Sequence, residues 1–222
     1  MKIDIVTLFP SMFEGPFATS MLKKAQDNNL VEINIHDLRK WSQDSHHSVD
    51  DRPYGGGKGM ILMIEPIDLA LKDLKTEKSH VILLSPQGKP FTQSVAQKLS
   101  KLNHLILIAG HYEGFDERIR ENLIDEEVSI GDYVLTGGEI PAMVIVDAVT
   151  RLLPGVLDPE ATAKESFSGP TLDFPQYTRP ENYNDWKVPE ILLTGHHANI
   201  QSWRQKEALK KTKRVRPDLL KK

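Results

Sequence analysis

Apolar and polar positions alternate in blocks along the first 136 residues. Five apolar, partly β-branched runs stand out: Lys2–Phe9, Val31–Leu38, His80–Pro86, His104–Gly110 and Val128–Thr136. Their length and residue type predict strands. Helical spacing fills the gaps. EPIDLALKDLKTE (65–77) has Pro66 just inside its start, FTQSVAQKLSK (91–101) follows a turn at QGKP, and FDERIRENLID (115–125) is amphipathic. GEIPAMVIVDAVTRLLPG (138–155) predicts a long apolar helix closed by Pro154-Gly155. Alternating strands and helices predict an α/β fold around a mostly parallel sheet, with the third and fourth strands covered on both faces. After Gly155 the periodicity fades. A proline-rich segment leads into a short helical region, PEILLTGHHANIQSWRQKEALKKT (189–212).

Composition narrows the class. Of 222 residues, 39% are hydrophobic and 27% charged, which suits a globular chain with a substantial core. No apolar run reaches the roughly 18 residues of a membrane span. The first residues read as a strand and not as a secretory signal. The absence of cysteine excludes disulfides, thiolate zinc sites and cysteine nucleophiles, and fits a cytoplasmic protein. Net charge is −3, but Trp203–Lys222 holds nine Lys/Arg against two acids, a net +7, leaving −10 on the other residues. A basic tail on an acidic body suggests an anionic partner; a solvated helix end is the plain alternative.

The candidate chemistry sits at the strand ends. IGDYVLTGGEIPAM (130–143) starts like a strand and ends like a helix start, with Gly137 and Gly138 between. Glycines there imply a close backbone approach. The spacing matches neither a dinucleotide site nor a phosphate loop. LLSPQGKPF (83–91) and LIAGHYEGFDER (107–118) make two further glycine-bearing turns after strands. Three such turns predict one ligand site built largely from backbone at the carboxyl edge of the sheet. YGGGKGM (54–60), behind Asp50, Asp51 and Arg52, predicts a mobile or tightly folded loop.

Carboxylates cluster near these turns: Glu113, Asp116, Glu117, Asp132 and Glu139, with Glu165 and Asp173 in the proline-rich segment. The acids of FDER suit helix capping, whereas Glu165 and Asp173 lie where loops tend to carry function. His46-His47 and His196-His197 lack a third ligand at motif spacing, so no metal is expected.

Taken in order, PYGGGKGM, LLSPQGKPF, AGHYEGFDERI, SIGDYVLTGGEIPAMVIVDAVTRLLPGV and LDFPQYTRP closely resemble the bacterial tRNA (guanine-N1-)-methyltransferases that modify guanine 37, members of the SPOUT class, over Met1 to about Pro217. The resemblance implies a parallel-sheet α/β domain with a C-terminal trefoil knot over residues 1–158, a linker over 159–175 and a small helical tRNA-binding domain over 176–222. It implies a homodimer with active sites at the subunit interface, and S-adenosylmethionine as cofactor. The cofactor would be wrapped by Leu84, Ser85, Pro86, Gln87 and Gly88; by Gly110, Tyr112, Glu113 and Gly114; and by Ile130, Gly131, Tyr133, Leu135, Gly137, Gly138 and Pro141. Cβ-free backbone reading adenine would explain Gly137 and Gly138. The resemblance implies tRNA as the partner, met at an anticodon stem-loop carrying G36-G37.

Guanine N1 carries a proton at neutral pH, so methylation there needs a base and a positive group to steady the charge that develops. Arg151 matches the family's arginine. The base position is Glu165, in KESFSG, where the family usually has aspartate; Asp173 matches a second family aspartate and is the fallback base. The chain ends at Lys222, earlier than is usual for the family, which suggests a trimmed C-terminal domain. Competing expectations are a knotted enzyme acting on ribose 2′-hydroxyl or another RNA, and an RNA-binding protein without catalysis.

Overall fold

The computed structural model describes residues 1–163 and 165–221. Lys164 of the KESFSG motif and Lys222 of the basic tail lie outside them. The chain divides into two compact units, Met1–Leu157 and Asp158–Lys222.

In the first unit the order is β1 (Lys2–Thr7), α1 (Glu14–Phe17), α2 (Ser20–Asp27), β2 (Glu32–Asp37), β3 (Asp50–Asp51), β4 (Ile61–Leu62), α3 (Ile64–Leu74), β5 (Ser79–Pro90), α4 (Gln93–Leu99), β6 (His104–Ala109), α5 (Glu117–Asn122), β7 (Glu126–Ser129) and α6 (Glu139–Thr150). Five strands form one sheet in the order β2-β1-β6-β5-β7, with every pairing parallel. The unit is therefore α/β around a parallel five-stranded sheet.

Alternation along the strands sends side chains to two separate cores. Ile3, Ile5, Leu105 and Leu107 pack with Ala142, Ile145, Val146 and Val149 of α6 on one face. Val6, Val81, Ile106 and Ile108 pack with Ile67, Ala70 and Leu71 of α3 on the other. On that second face a polar residue is sealed in. Asp4, fully buried, accepts hydrogen bonds from His36 Nε2 at 2.9 Å and His104 Nε2 at 2.6 Å, and pairs with Lys2 Nζ at 2.8 Å. Burial alone would raise the carboxyl's pKa. These donors and Asn34 outweigh it and hold the group well below the usual carboxylate range.

Two departures from the sequence pattern shape the site. The run 128–136 does not continue as a strand beyond Ser129. Ser129 Oγ donates to the Gly131 carbonyl at 3.0 Å and accepts from the Gly131 amide at 3.2 Å, which turns the backbone out of the ladder. β5, by contrast, runs on to Pro90, past the expected turn at QGKP. Leu84 and Lys89 both stand opposite Val128, so the residues between them bulge out of the sheet. The helix pattern also misses α1 and α2. Gly15, Pro16 and a polar surface hide them, and burial of Phe17, Leu22 and Ala25 holds them in place.

In the second unit, α7 (Pro159–Thr162) begins behind an Asp158 cap, and the hairpin of β8 (Asn182–Tyr183) and β9 (Trp186–Lys187) turns on Asn184-Asp185, both at positive φ. α8 (His197–Val215) carries most of the basic residues of the tail.

Candidate active site

A bulge within β5 and the turns that leave the carboxyl ends of its sheet neighbours β6 and β7 surround one cleft. The β5 bulge contributes Leu84, Ser85, Pro86 and Gln87. The turn after β6 contributes Gly110, Tyr112, Glu113 and Gly114. The turn after β7 contributes Ile130, Gly131, Tyr133 and Leu135, with Gly137, Gly138 and Pro141 where α6 begins. Gly88 alone of the expected cofactor residues is not part of the lining. A Cβ on Gly88 would stand 2.4 Å from the Val128 amide nitrogen, so this glycine serves the close approach of β5 and β7. His111, Phe115, Arg120 and Ser129 also face the cleft, although the resemblance does not count them among the cofactor residues.

The paired glycines also have a packing cause of their own. The Gly138 amide donates to the Gly110 carbonyl at 2.8 Å, and a Cβ on Gly138 would stand 2.7 Å from Ala109 Cα. A Cβ on Gly137 would fall 2.3 Å from Glu139 Oε2 and 2.4 Å from His111 Nε2. Both positions lack side chains because this loop crosses directly over the end of β6. The crossing is what brings the third turn to the first two.

Beneath it lies a buried carboxylate. Glu139 is fully buried at the first turn of α6, where a negative charge suits the helix dipole. Thr7 Oγ1 donates to its Oε1 at 2.7 Å and accepts from the Phe9 amide at 3.0 Å. Its Oε2 is buried without a hydrogen-bond partner among the described residues, 3.5 Å from His111 Nε2.

At the rim, the Glu113 amide donates to the Met60 carbonyl at 3.0 Å, and a Cβ on Gly59 would collide with the Glu113 side chain. The triple-glycine loop is thereby tied to the β6 turn. Tyr112 sits at positive φ, and burial together with neighbouring Asp50 pushes its phenol above the ordinary value. Asp116 caps α5, as expected for FDER; its Oδ1 accepts from the Arg118 amide at 3.0 Å.

The expected catalytic residues divide between the units. Arg151 is the C-cap of α6 in the first unit, its amide donating to the Asp147 carbonyl at 3.1 Å. Glu165 and Asp173 share a second cleft, built within the second unit between Ala163, residues 165–174 and α8. The Asp173 amide donates to Ser166 Oγ at 2.9 Å, which pins the two acidic turns together. The Leu172 amide donates to Thr212 Oγ1 at 2.9 Å, which pins both to α8. Asp173 accepts from the Phe174 amide and from Gln176 Nε2, so its oxygens already serve the local structure. The Tyr177 and Trp203 rings lean on each other, with centroids 6.4 Å apart. Among the described residues no helix is long and apolar enough to cross a membrane, and no group of three or more His, Asp or Glu is arranged to hold a metal.

Comparison with known proteins aligns the whole chain. The family model described as tRNA (Guanine-1)-methyltransferase TrmD matches residues 1–222. A tRNA (guanine-N(1)-)-methyltransferase of Dictyoglomus turgidum is 60% identical over 223 residues, covering 100% of this chain and 91% of that protein. Proteins of the same name from Dehalococcoides mccartyi and Staphylococcus epidermidis are 54% and 53% identical, covering 100% and 99% of this chain and 91% of each relative.

Proposed function

The chain belongs to the tRNA (guanine-1)-methyltransferase family and methylates N1 of guanine in tRNA; from that premise we propose that the target is guanine 37, that S-adenosylmethionine is the donor, and that Glu165 is the base. The observation that carries the donor site is the convergence of three strand-end turns on one cleft in a chain of this family.

The cleft suits this donor. Leu84, Pro86, Ile130, Leu135 and Pro141 offer apolar faces for an adenine, and the glycines leave backbone groups open to its edge. The Glu113 side chain in the lining complements the sulfonium and ammonium of the donor. When bound, the donor supplies a methyl group already electrophilic because it sits on a sulfonium. The protein's part is to remove the N1 proton and align the nucleophile. Glu165 accepts that proton at a carboxylate oxygen. Arg151 steadies the negative charge that spreads towards guanine O6. Asp173 shapes the turn that presents Glu165 and is the second candidate base.

The same reading includes a trefoil knot and a homodimer. The crossing of the 130–138 loop over the end of β6 supports the threading a knot requires. Ile140 and Val144, one turn apart on α6, are exposed, as are Val134 and Leu135. Such apolar surface fits an interface with a second copy. The domain reading has residues 1–158 as the methyltransferase domain, 159–175 as linker and 176–222 as the tRNA-binding part, working in the cytoplasm where tRNA is matured. The basic face of α8 fits tRNA phosphates.

The test is to incubate the protein with labelled S-adenosylmethionine and an unmodified transcript carrying G36-G37, then identify and map the product nucleoside. 1-Methylguanosine at position 37 supports the reading. A ribose 2′-O-methyl product, or cofactor and tRNA binding without transfer, supports the competing ones.

A further inference from the structure

Arg204 faces the cleft that holds Glu165 and Asp173, and its chemistry is not used by the mechanism above. Gln201, Arg204, Gln205 and Ala208 follow helical spacing on α8 and line one side of that cleft. The Arg204 guanidinium lies 4.7 Å from the centroid of the Phe174 ring, so its plane is held by cation–π contact. Its Nε is buried with no hydrogen-bond partner among the described residues. A buried donor without an acceptor is costly. A ligand that brings an acceptor to this guanidinium would offset that cost.

The other polar groups of the cleft say which acceptor. Two carboxylates can only accept, and on guanine the groups that donate are N1–H and the exocyclic amine on the pairing edge. The opposite edge of guanine has only acceptors, O6 and N7. Arginine has donors and no acceptor, and presents them in a flat fork that fits those two atoms. Adenine would put an amino group where O6 stands and oppose the guanidinium. Resting on the proposed transfer to guanine, we propose that Arg204 is a specificity-determining residue that donates to the O6/N7 edge of the target base, while a carboxylate of the same cleft holds its N1 edge.

The experiment compares two transcripts, one with guanosine and one with 7-deazaguanosine at the target position, the second lacking the N7 acceptor. Wild-type kcat/KM is expected to fall about tenfold or more with the deaza base, the order of one base-edge hydrogen bond. Arg204→Gln is expected to lower kcat/KM on the normal transcript by a similar factor and to treat the two transcripts alike. Arg204→Lys, a point donor in place of a fork, should lie between them and serves if the glutamine variant does not fold. Equal wild-type rates on both transcripts overturn the proposal. So does a full deaza penalty retained in either folded variant, since the penalty then does not pass through Arg204. Absence of 1-methylguanosine from the wild type on the normal transcript is a separate result: it removes the proposed function, and this assignment with it.

Discussion

The amide of Gly138 donates to the carbonyl of Gly110 at 2.8 Å, joining the start of α6 to the end of β6 in the wall of the cleft. That one bond closes the third turn onto the second. Gly138→Ala would place a methyl 2.7 Å from backbone atoms of Ala109 and Gly110, which cannot rotate away. Overpacking of this kind costs about 1–3 kcal/mol. We expect that loss in urea unfolding, and at least tenfold weaker S-adenosylmethionine binding by calorimetry. Unchanged affinity would separate the crossing from the cofactor site.

Thr7 links the sheet to the buried Glu139. Thr7→Val keeps the shape but deprives both Glu139 Oε1 and the Phe9 amide of their partner. Leaving buried polar groups unsatisfied costs about 1–3 kcal/mol. Thr7→Ser keeps the hydroxyl and should stay within about 1 kcal/mol of wild type, a repacking cost only. Chemical denaturation of the two variants measures the difference.

Asp4 makes stability depend on acid. Its folded pKa lies below its unfolded value near 3.8, because the hydrogen bonds from His36, Lys2, His104 and Asn34 outweigh burial. A carboxyl depressed in this way contributes its stability above the unfolded pKa and loses it as pH falls from about 5 towards the folded value. Asp4→Asn should cost about 3 kcal/mol near neutrality, by breaking a buried charged cluster. It should also flatten the fall in stability between about pH 5 and pH 3. A parallel acid limb in the variant would assign that limb to other carboxylates.

The basic residues of α8 predict salt-sensitive tRNA binding. Removing one cation that pairs with a phosphate lowers the slope of log K against log salt by about 1. Reversing Lys210 and Lys211 to Glu should reduce the slope, with S-adenosylmethionine affinity unchanged. An unaltered slope would place the tRNA elsewhere on the protein.

Much of the site is legible in the residues because it is made of turns at the ends of apolar strands, and such turns announce themselves through glycine and proline. The expected residues in the β5 bulge and after β6 and β7 do line one cleft, Gly88 excepted. What sequence does not show is why the glycines are there. Gly137 and Gly138 yield to neighbouring protein atoms, a contact between segments distant in sequence. The Thr7–Glu139 bond spans 132 positions and has no local signature. The run 128–136 looks like one long strand because Val128, Ile130 and Val134 keep an apolar pattern. The Ser129 side chain turns the backbone all the same. Arg204 is hidden in a basic run, and its buried Nε and the contact with Phe174 have no signature in the sequence.

The most direct measurement is single-turnover methyl transfer from labelled S-adenosylmethionine to a transcript carrying G36-G37, wild type against Glu165→Gln and Asp173→Asn. The account predicts 1-methylguanosine from the wild type. It predicts a rate at least 100-fold lower for Glu165→Gln, of the order expected for loss of a general base, with cofactor affinity retained, and a smaller loss for Asp173→Asn. Transfer by Glu165→Gln at the wild-type rate would contradict it and move the base elsewhere.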